Sequence, residues 1–181
     1  MDLIKIIIKW PGWSWGFWSG ITALAAVVAA IVAIMAVLLE NKRSNFSFGV
    51  DLILKLEDNF NSERMKTARK TAAIDLLNSS DKNITEILDF FEFMGYLTRQ
   101  KTLDKKMVWE MFYYFLSKYY IASKDFIEKE RHKDPTIWVN LPYLYSCLSN
   151  VEKRERGCSS SDIDFSKKEI DDFLKSEAGL A

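Results

Sequence analysis

The chain has 181 residues, with 25 basic and 25 acidic side chains and a formal net charge of zero at pH 7. This balance excludes a general electrostatic attraction to nucleic acid or anionic lipid, so any such partner needs a local site. Two cysteines exclude a dense disulfide framework, and only seven glycines and three prolines favour a helical chain.

The first predicted element is a transmembrane helix over residues 17–39, which are 23 consecutive residues without a charge. A helix of this length is about 35 Å long and crosses the hydrocarbon core of a bilayer with some tilt. Tryptophans prefer the headgroup level, and four of them mark one interface as interfacial anchors: Trp10, Trp13, Trp15 and Trp18. We therefore expect an interfacial segment over residues 1–16 and a helical domain over residues 40–181.

The predicted span has a bulky face and a small face on a helical wheel. The small face carries Gly16, Ser19, Thr22, Ala23, Ala26, Ala30 and Ala33. Helices associate in membranes where small residues let two backbones approach, so we interpret this face as a self-association seam or pore lining. The alternative is an alanine-rich anchor whose asymmetry is accidental.

Membrane orientation is weakly specified by the basic residues beside the span. Lys5 and Lys9 precede it, whereas Lys42 and Arg43 follow it, so the positive-inside rule hardly distinguishes the two orientations. We expect the C-terminal domain in the cytosol, because the N-terminal tail is short and the domain has no disulfide framework. Pairing of its two cysteines, Cys147 and Cys158, stays open.

Helical periodicity without alternating β patterns predicts an all-α domain after the span. The predicted helices cover residues 47–60 after a break near residues 44–47, 61 or 62 to 78, 83–98, 102 or 104 to 131, 142–155 and 166–176. Two of these starts have the spacing of a capping box, Asn83 with Glu86 and Ser166 with Glu169.

The longest predicted helix is rich in aromatic and other large side chains, which are Trp109, Met111, Phe112, Tyr113, Tyr114, Phe115, Tyr119 and Tyr120. Residues this crowded do not fit one stripe, so the helix is either central to the bundle or packs partly on another subunit. After it, Asp134 and Pro135 are typical of an N-cap followed by proline at the first helical position, and Pro142 interrupts that segment after one turn.

Catalytic chemistry has little support in this sequence. The single histidine, His132, lies in a charged helix end and is typical of a solvated residue. The cysteines lack metal-ligand spacing, and no P-loop, GxGxxG or GxSxG motif occurs. We expect no catalytic residue, metal or cofactor, and hence no enzyme.

Basic residues near two helix ends are the best polar candidates for a ligand site. They are Arg64, Lys66, Arg69, Lys70, Arg99, Lys101 and Lys105. Spacings of three and four place Lys66, Arg69 and Lys70 on one helix face. If these groups converge at a subunit interface, they form a phosphate-binding cleft that suits an oligonucleotide. A solvated charged face is the alternative.

Residues 84–120 carry a pattern of helix-packing positions: Ile87, Leu88, Phe90, Phe91, Glu92, Gly95, Leu97, Leu103, Asp104 and Val108. This pattern resembles a family of short bacterial membrane proteins with one N-terminal span and an all-helical cytosolic domain. Residues 138–148 and 166–177 resemble the end of that family's domain. The chain departs from the family at Lys101 and Thr102, where a glycine is usual.

Chains of this build also resemble membrane effectors of bacterial anti-phage systems, such as the channel-forming effectors of the Hailong system. That resemblance implies a homo-oligomer in the bacterial inner membrane, with a tetramer expected, whose spans form a gated ion channel. It also implies that the soluble domains bind a DNA oligomer made by a partner nucleotidyltransferase. The alternative is a single-pass, membrane-tethered adaptor or scaffold whose helical domain docks a cytosolic protein.

Overall fold

Every regular element of the described chain is an α-helix, which confirms the predicted all-α class. The computed structural model describes residues 15–157 and 165–179, and at residues 15–30, 41–43 and 45 it describes the backbone alone. Seven helices occur over these residues: α1 Trp15–Phe60, α2 Glu63–Leu77, α3 Thr85–Arg99, α4 Lys105–Ala122, α5 Lys124–Lys133, α6 Asn140–Arg156 and α7 Lys167–Ala178. The chain divides into two units, Met1–Ser44 and Asn45–Ala181.

Several predictions fall outside the described residues. They concern the interfacial segment over residues 1–16, Cys158, and the side chains of Trp10, Trp13, Trp15, Trp18, Gly16, Ser19, Thr22, Ala23, Ala26 and Ala30. Ala33 is described, and it is exposed.

The first unit contributes the N-terminal part of α1. Residues 31–39 are all apolar and all exposed, and the large side chains from Ile31 to Leu39 are 52% to 64% exposed. Within the residues that the structure describes, no helix has both the length and the hydropathy of a membrane span. The predicted break near residues 44–47 is wrong, because α1 continues through them as helix.

The C-terminal part of α1 enters the core of the second unit through one face. Gly49, Ile53, Leu56 and Phe60 are buried at alternating spacings of four, three and four residues. This spacing puts one stripe of a helix against its neighbours. The Phe60 ring contacts four other rings, with centroid distances of 4.9 to 6.0 Å to Phe90, Phe91, Phe112 and Phe115.

Two close backbone approaches fix the position of α3. A Cβ added to Gly49 would lie 2.9 Å from the carbonyl oxygen of Thr102, just after α3. A Cβ added to Gly95 would lie 2.5 Å from the carbonyl oxygen of Asn140 at the start of α6. Since Phe60 also contacts Phe90, α1 runs antiparallel to α3 within this unit.

The start of α6 differs from the prediction, since the helix begins at Asn140 rather than at Pro142. Glu92 of α3 accepts hydrogen bonds from the backbone nitrogens of Asn140 and Leu141, at 2.8 and 2.7 Å. This carboxylate caps α6 from another helix. Pro142 is tolerated in the first turn because its missing N–H would have had no partner within the helix.

The turn before α6 contains a strained tryptophan. Asp134 accepts hydrogen bonds from the backbone nitrogen and hydroxyl of Thr136, at 2.9 and 2.6 Å, so the predicted single turn forms. Trp138 has a φ of 47°, a left-handed conformation that non-glycine residues rarely adopt. Trp138 is 3% exposed, and its indole nitrogen donates to Asp89 at 2.8 Å. Burial and this hydrogen bond therefore hold the strained backbone.

The predicted capping box at the start of α3 is wrong. The N-cap is Ile84, without a side-chain hydrogen bond. The Asn83 amide instead donates to the carboxylate of Asp75 in α2 at 2.6 Å. The Asn83 side chain, which would otherwise cap α3, therefore bonds to a residue of α2.

The longest predicted helix is two helices, because the chain breaks at Ser123 between α4 and α5. The Ser123 hydroxyl donates to the carbonyl oxygen of Tyr119 at 2.6 Å, and such bonding to the preceding turn bends helices. The first part, α4, is the central helix of the bundle. It packs against α3, α6 and α7 and buries Val108, Phe112, Tyr113, Leu116 and Tyr119.

The predicted starts of α2, α4 and α7 are confirmed. Ser62 accepts from the backbone nitrogen of Met65, and Asp104 accepts from those of Lys106 and Met107. Ser166 and Glu169 form the predicted capping box. The amphipathic α7 then packs mainly on α2 and more lightly on α4.

We predict that Gly95→Ala lowers the free energy of unfolding by about 2 kcal/mol, because its Cβ would overlap the backbone of α6. Gly179→Ala is the matched control, since its Cβ lies at an ordinary 3.4 Å from the nearest neighbour. Thermal unfolding followed by circular dichroism measures both. Equal melting temperatures for the two variants would contradict the close approach of α3 and α6.

Candidate functional site

The predicted basic residues of α2 are mostly paired with acids. Arg64 pairs with Glu86 at 2.9 Å, and Lys66 pairs with Glu63 at 2.9 Å. Arg64 and Glu86 also line an open cleft of about 680 Å³ between α2 and the start of α3. Exposed pairs of this kind contribute little to stability, but they neutralise the charge that a phosphate would need. Lys70 is half-buried on the same helix.

Arg69 lies in the core, although it shares a helix face with the half-buried Lys66 and Lys70. It is 5% exposed, and its guanidinium donates two hydrogen bonds to Glu177, at 2.6 and 2.8 Å. A third donor reaches the carbonyl oxygen of Phe60 at 3.2 Å. The structure therefore uses Arg69 to join α2 to α7 and to the end of α1.

The environment of this ion pair is aromatic and buried, with both side chains 6% exposed. The guanidinium carbon lies 4.2 Å from the Phe60 ring centroid and 5.1 Å from that of Phe115. The Tyr119 hydroxyl donates to Glu177 at 2.8 Å, and burial, reinforced by that carboxylate, raises the pKa of Tyr119. Burial alone would lower the pKa of Arg69, but the hydrogen bonds and the charge of Glu177, together with Tyr119, outweigh burial and raise it. Arg69 thus stays charged at neutral pH.

Three other predicted residues come from one turn, here called the basic corner: Arg99, Lys101 and Lys105, of which Arg99 and Lys105 contact the ring of Tyr143. The Arg99 guanidinium carbon lies 5.8 Å from the Tyr143 ring centroid, and the Lys105 ammonium nitrogen lies 6.0 Å from it. These distances are typical of cation–π contacts. Tyr143 comes from α6, so two parts of the chain build the corner.

The turn between α3 and α4 positions the three cations. α3 ends at Arg99, and Lys101 follows with a left-handed φ of 61° that reverses the chain. Leu103 is buried, and Asp104 caps the start of α4, which places Lys105 in its first turn. Arg99 also donates to the side-chain oxygen of Asn140 at 3.3 Å.

The basic corner keeps its positive charge. Within the part of the chain that the structure describes, none of its three cations has a carboxylate within 4.0 Å. The neighbouring Lys106, by contrast, pairs with Glu155 at 3.2 Å. A hydrogen bond with the Cys147 sulfur raises the pKa of Lys105, so this ammonium stays protonated. Unpaired cations around an aromatic ring suit a phosphate with a base beside it.

The two groups of predicted basic residues do not converge within one chain. Arg64 pairs with Glu86 near the start of α3, whereas Arg99 ends that helix. At 1.5 Å of rise per residue, the two positions are about 20 Å apart along α3. A single chain therefore presents the basic corner as a surface separate from the basic residues of α2.

Two members of the corner were absent from the predicted set. Tyr143 and Asn140 carry no local signal of binding, because they reach the corner only through the packing of α6 on α3.

Among the described residues, no group of three His, Cys, Asp or Glu side chains is placed to hold a metal ion.

We predict that Glu177→Gln lowers the free energy of unfolding by about 3 kcal/mol, because it leaves Arg69 buried without a counter-charge. Asp172→Asn is the control in the same helix. Its pair with Lys175 is exposed at 4.0 Å and should contribute less than about 0.5 kcal/mol. Chemical denaturation measures both variants, and a small effect of Glu177→Gln would show that the pair does not anchor α7.

Comparison with known proteins gives one family. Neither the curated proteins nor the solved structures provide a match. The family model of the domain of unknown function DUF4760 matches residues 21–146, which include the C-terminal part of the predicted span, the basic corner and most of the helical core. The chain belongs to the DUF4760 family.

Proposed function

We propose that this chain is a homo-oligomeric membrane effector of bacterial anti-phage defence, of the Hailong type. Residues 17–39 cross the inner membrane, and the packed helices of several copies, four in our proposal, form a gated ion channel that depolarises it. The helical domains bind a regulatory DNA oligomer made by a partner nucleotidyltransferase.

The exposed apolar surface of α1 is the observation that carries the membrane part of this proposal. Residues 31–39 form the C-terminal part of the proposed span, and their large side chains are at least 52% exposed. Leaving one such side chain in water costs about 1.5 to 3 kcal/mol relative to burial. Lipid and neighbouring copies of α1 would cover this surface.

The proposed channel needs several copies of the span, because one helix cannot enclose a pore. The small face lets neighbouring backbones approach, and its Ala33 is exposed and available for that contact. A pore lined by alanine, serine and threonine is narrow and largely apolar. Such a constriction closes by dewetting and opens with small movements of the helices.

The basic corner supports the ligand part of the proposal. Its three cations have no carboxylate partner in the described chain, and Tyr143 offers an aromatic surface beside them. Single-stranded DNA is held by this combination of phosphate-binding cations and stacking rings. An oligomer of the chain presents several such corners to one strand.

A membrane-tethered adaptor is the second candidate, and an exposed face of α3 favours it. Phe93 is 51% exposed and Tyr96 is 49% exposed, one turn apart on that helix. Exposed aromatic residues are enriched at protein interfaces. In this alternative, α1 is only an anchor and the small face is a dimer seam.

We predict that the double variant Ala26→Leu, Ala30→Leu loses depolarising activity, because larger side chains keep the small faces apart. Val28→Leu with Ile31→Leu is the control on the bulky face. A voltage-sensitive dye reports the membrane potential of cells that express each chain. If the purified chain is monomeric in detergent at all concentrations, the channel proposal fails. If the chain retains a partner protein but causes no depolarisation, the adaptor is favoured.

We predict that the triple variant Arg99→Gln, Lys101→Gln, Lys105→Gln binds a short single-stranded DNA at least about tenfold more weakly. The slope of log affinity against log salt should fall by about 2, since three phosphate contacts are lost. The control removes three exposed cations elsewhere: Lys129→Gln, Lys133→Gln and Arg154→Gln. Equal affinities of the two triple variants for the DNA would show that the basic corner is not the DNA site.

A further inference from the structure

A second cleft lies between α5, the turn that precedes α6 and the first turn of α6. It has a volume of about 510 Å³, within the range of small-ligand sites, and we name it the α5 cleft. It shares no residue with the basic corner. The proposed channel and its DNA site do not use it.

The floor of the α5 cleft is apolar and rigid. The Tyr120 ring is stacked on Tyr145, with centroids 4.3 Å apart and planes 20° apart. Ile127 is 3% exposed, and Pro135 and Pro142 form walls with restricted backbones. A fixed ring between short apolar walls suits a flat ligand ring better than a flexible chain.

The rim of the cleft is basic at one end. Lys124 and Glu128 form a loose pair at 3.9 Å, both exposed, which neutralises the middle of the rim. Arg131 lies one turn further along α5 and has no carboxylate within 4.0 Å among the described residues. Burial raises the pKa of Tyr120, Tyr145 and the Glu128 carboxylate add to this effect, and the Arg131 charge opposes it.

His132 lines the same end of the cleft. Its Nδ1 lies 2.8 Å from the carbonyl oxygen of Glu128, and because a carbonyl only accepts, Nδ1 carries the proton. In the neutral ring Nε2 then only accepts a hydrogen bond, which suits an N–H or O–H group of the ligand rather than its anionic group.

Comparison with the larger cleft between α2 and α3 indicates which of the two clefts binds an anion. In that cleft, Arg64 is neutralised by Glu86 at 2.9 Å. In the α5 cleft, the Glu128 carboxylate pairs with Lys124, and Arg131 has no carboxylate within 4.0 Å among the described residues. We infer that the α5 cleft binds a small organic anion with a flat ring, with the ring on Tyr120 and the anionic group at Arg131.

The test is isothermal titration of the full chain in detergent with two ring-bearing anions, adenosine 5′-monophosphate and indole-3-acetate. We expect at least one to bind with a dissociation constant below about 1 mM. Adenosine carries only the ring, and ribose 5-phosphate carries only the anionic group. If the cleft prefers a phosphate as the anionic group, both should bind at least tenfold more weakly than adenosine 5′-monophosphate. Selective binding of indole-3-acetate would assign the anionic group as a carboxylate.

Variants locate the site. Arg131→Gln should weaken the bound probe at least tenfold, and His132→Gln severalfold, whereas Arg154→Gln should have no effect. The triple variant of the basic corner should bind the probe normally, which separates this cleft from the DNA site. Failure of both probes to bind at 10 mM, or unchanged affinity in Arg131→Gln, would overturn the inference, whatever the outcome for the channel.

Discussion

The guanidinium of Arg69 joins four helices of the second unit. It extends from α2, pairs with Glu177 of α7, shares that carboxylate with Tyr119 of α4 and reaches the last carbonyl of α1 at Phe60. A buried charge without its partner is strongly unfavourable, so only an arrangement that supplies all these contacts is stable. The apolar core around it accepts many small rearrangements, so we expect this pair to favour one packing of the helices.

The parts of the fold that could be predicted are those with local causes. Ser62, Asp104 and Ser166 cap the helices that follow them, and cap and partner lie within three residues of each other. Asn83 fits the same pattern, yet its amide bonds to Asp75 of the preceding helix. Spacing alone cannot distinguish these cases, because the competing partner comes from tertiary structure.

The candidate site shows the same limit. Arg99, Lys101 and Lys105 are recognisable because one short turn brings them together. Arg69 has equally good spacing, but its burial depends on Glu177, which is 108 residues away. Tyr143 enters the basic corner only through the packing of α6 on α3. The sequence therefore identifies the charges, and the fold decides which of them remain available to a ligand.

The cap that Glu92 supplies to α6 has a consequence for the order in which the domain forms. The first amides of an isolated helix exchange freely with water, but those of Asn140 and Leu141 bond to a carboxylate 48 and 49 residues earlier in the chain. α6 therefore gains its first turn only once α3 is in place, and the strained backbone of Trp138 beside it depends on the same helix through Asp89. The two helices should open and close as one cooperative unit, with slow amide exchange at a position where a helix normally frays.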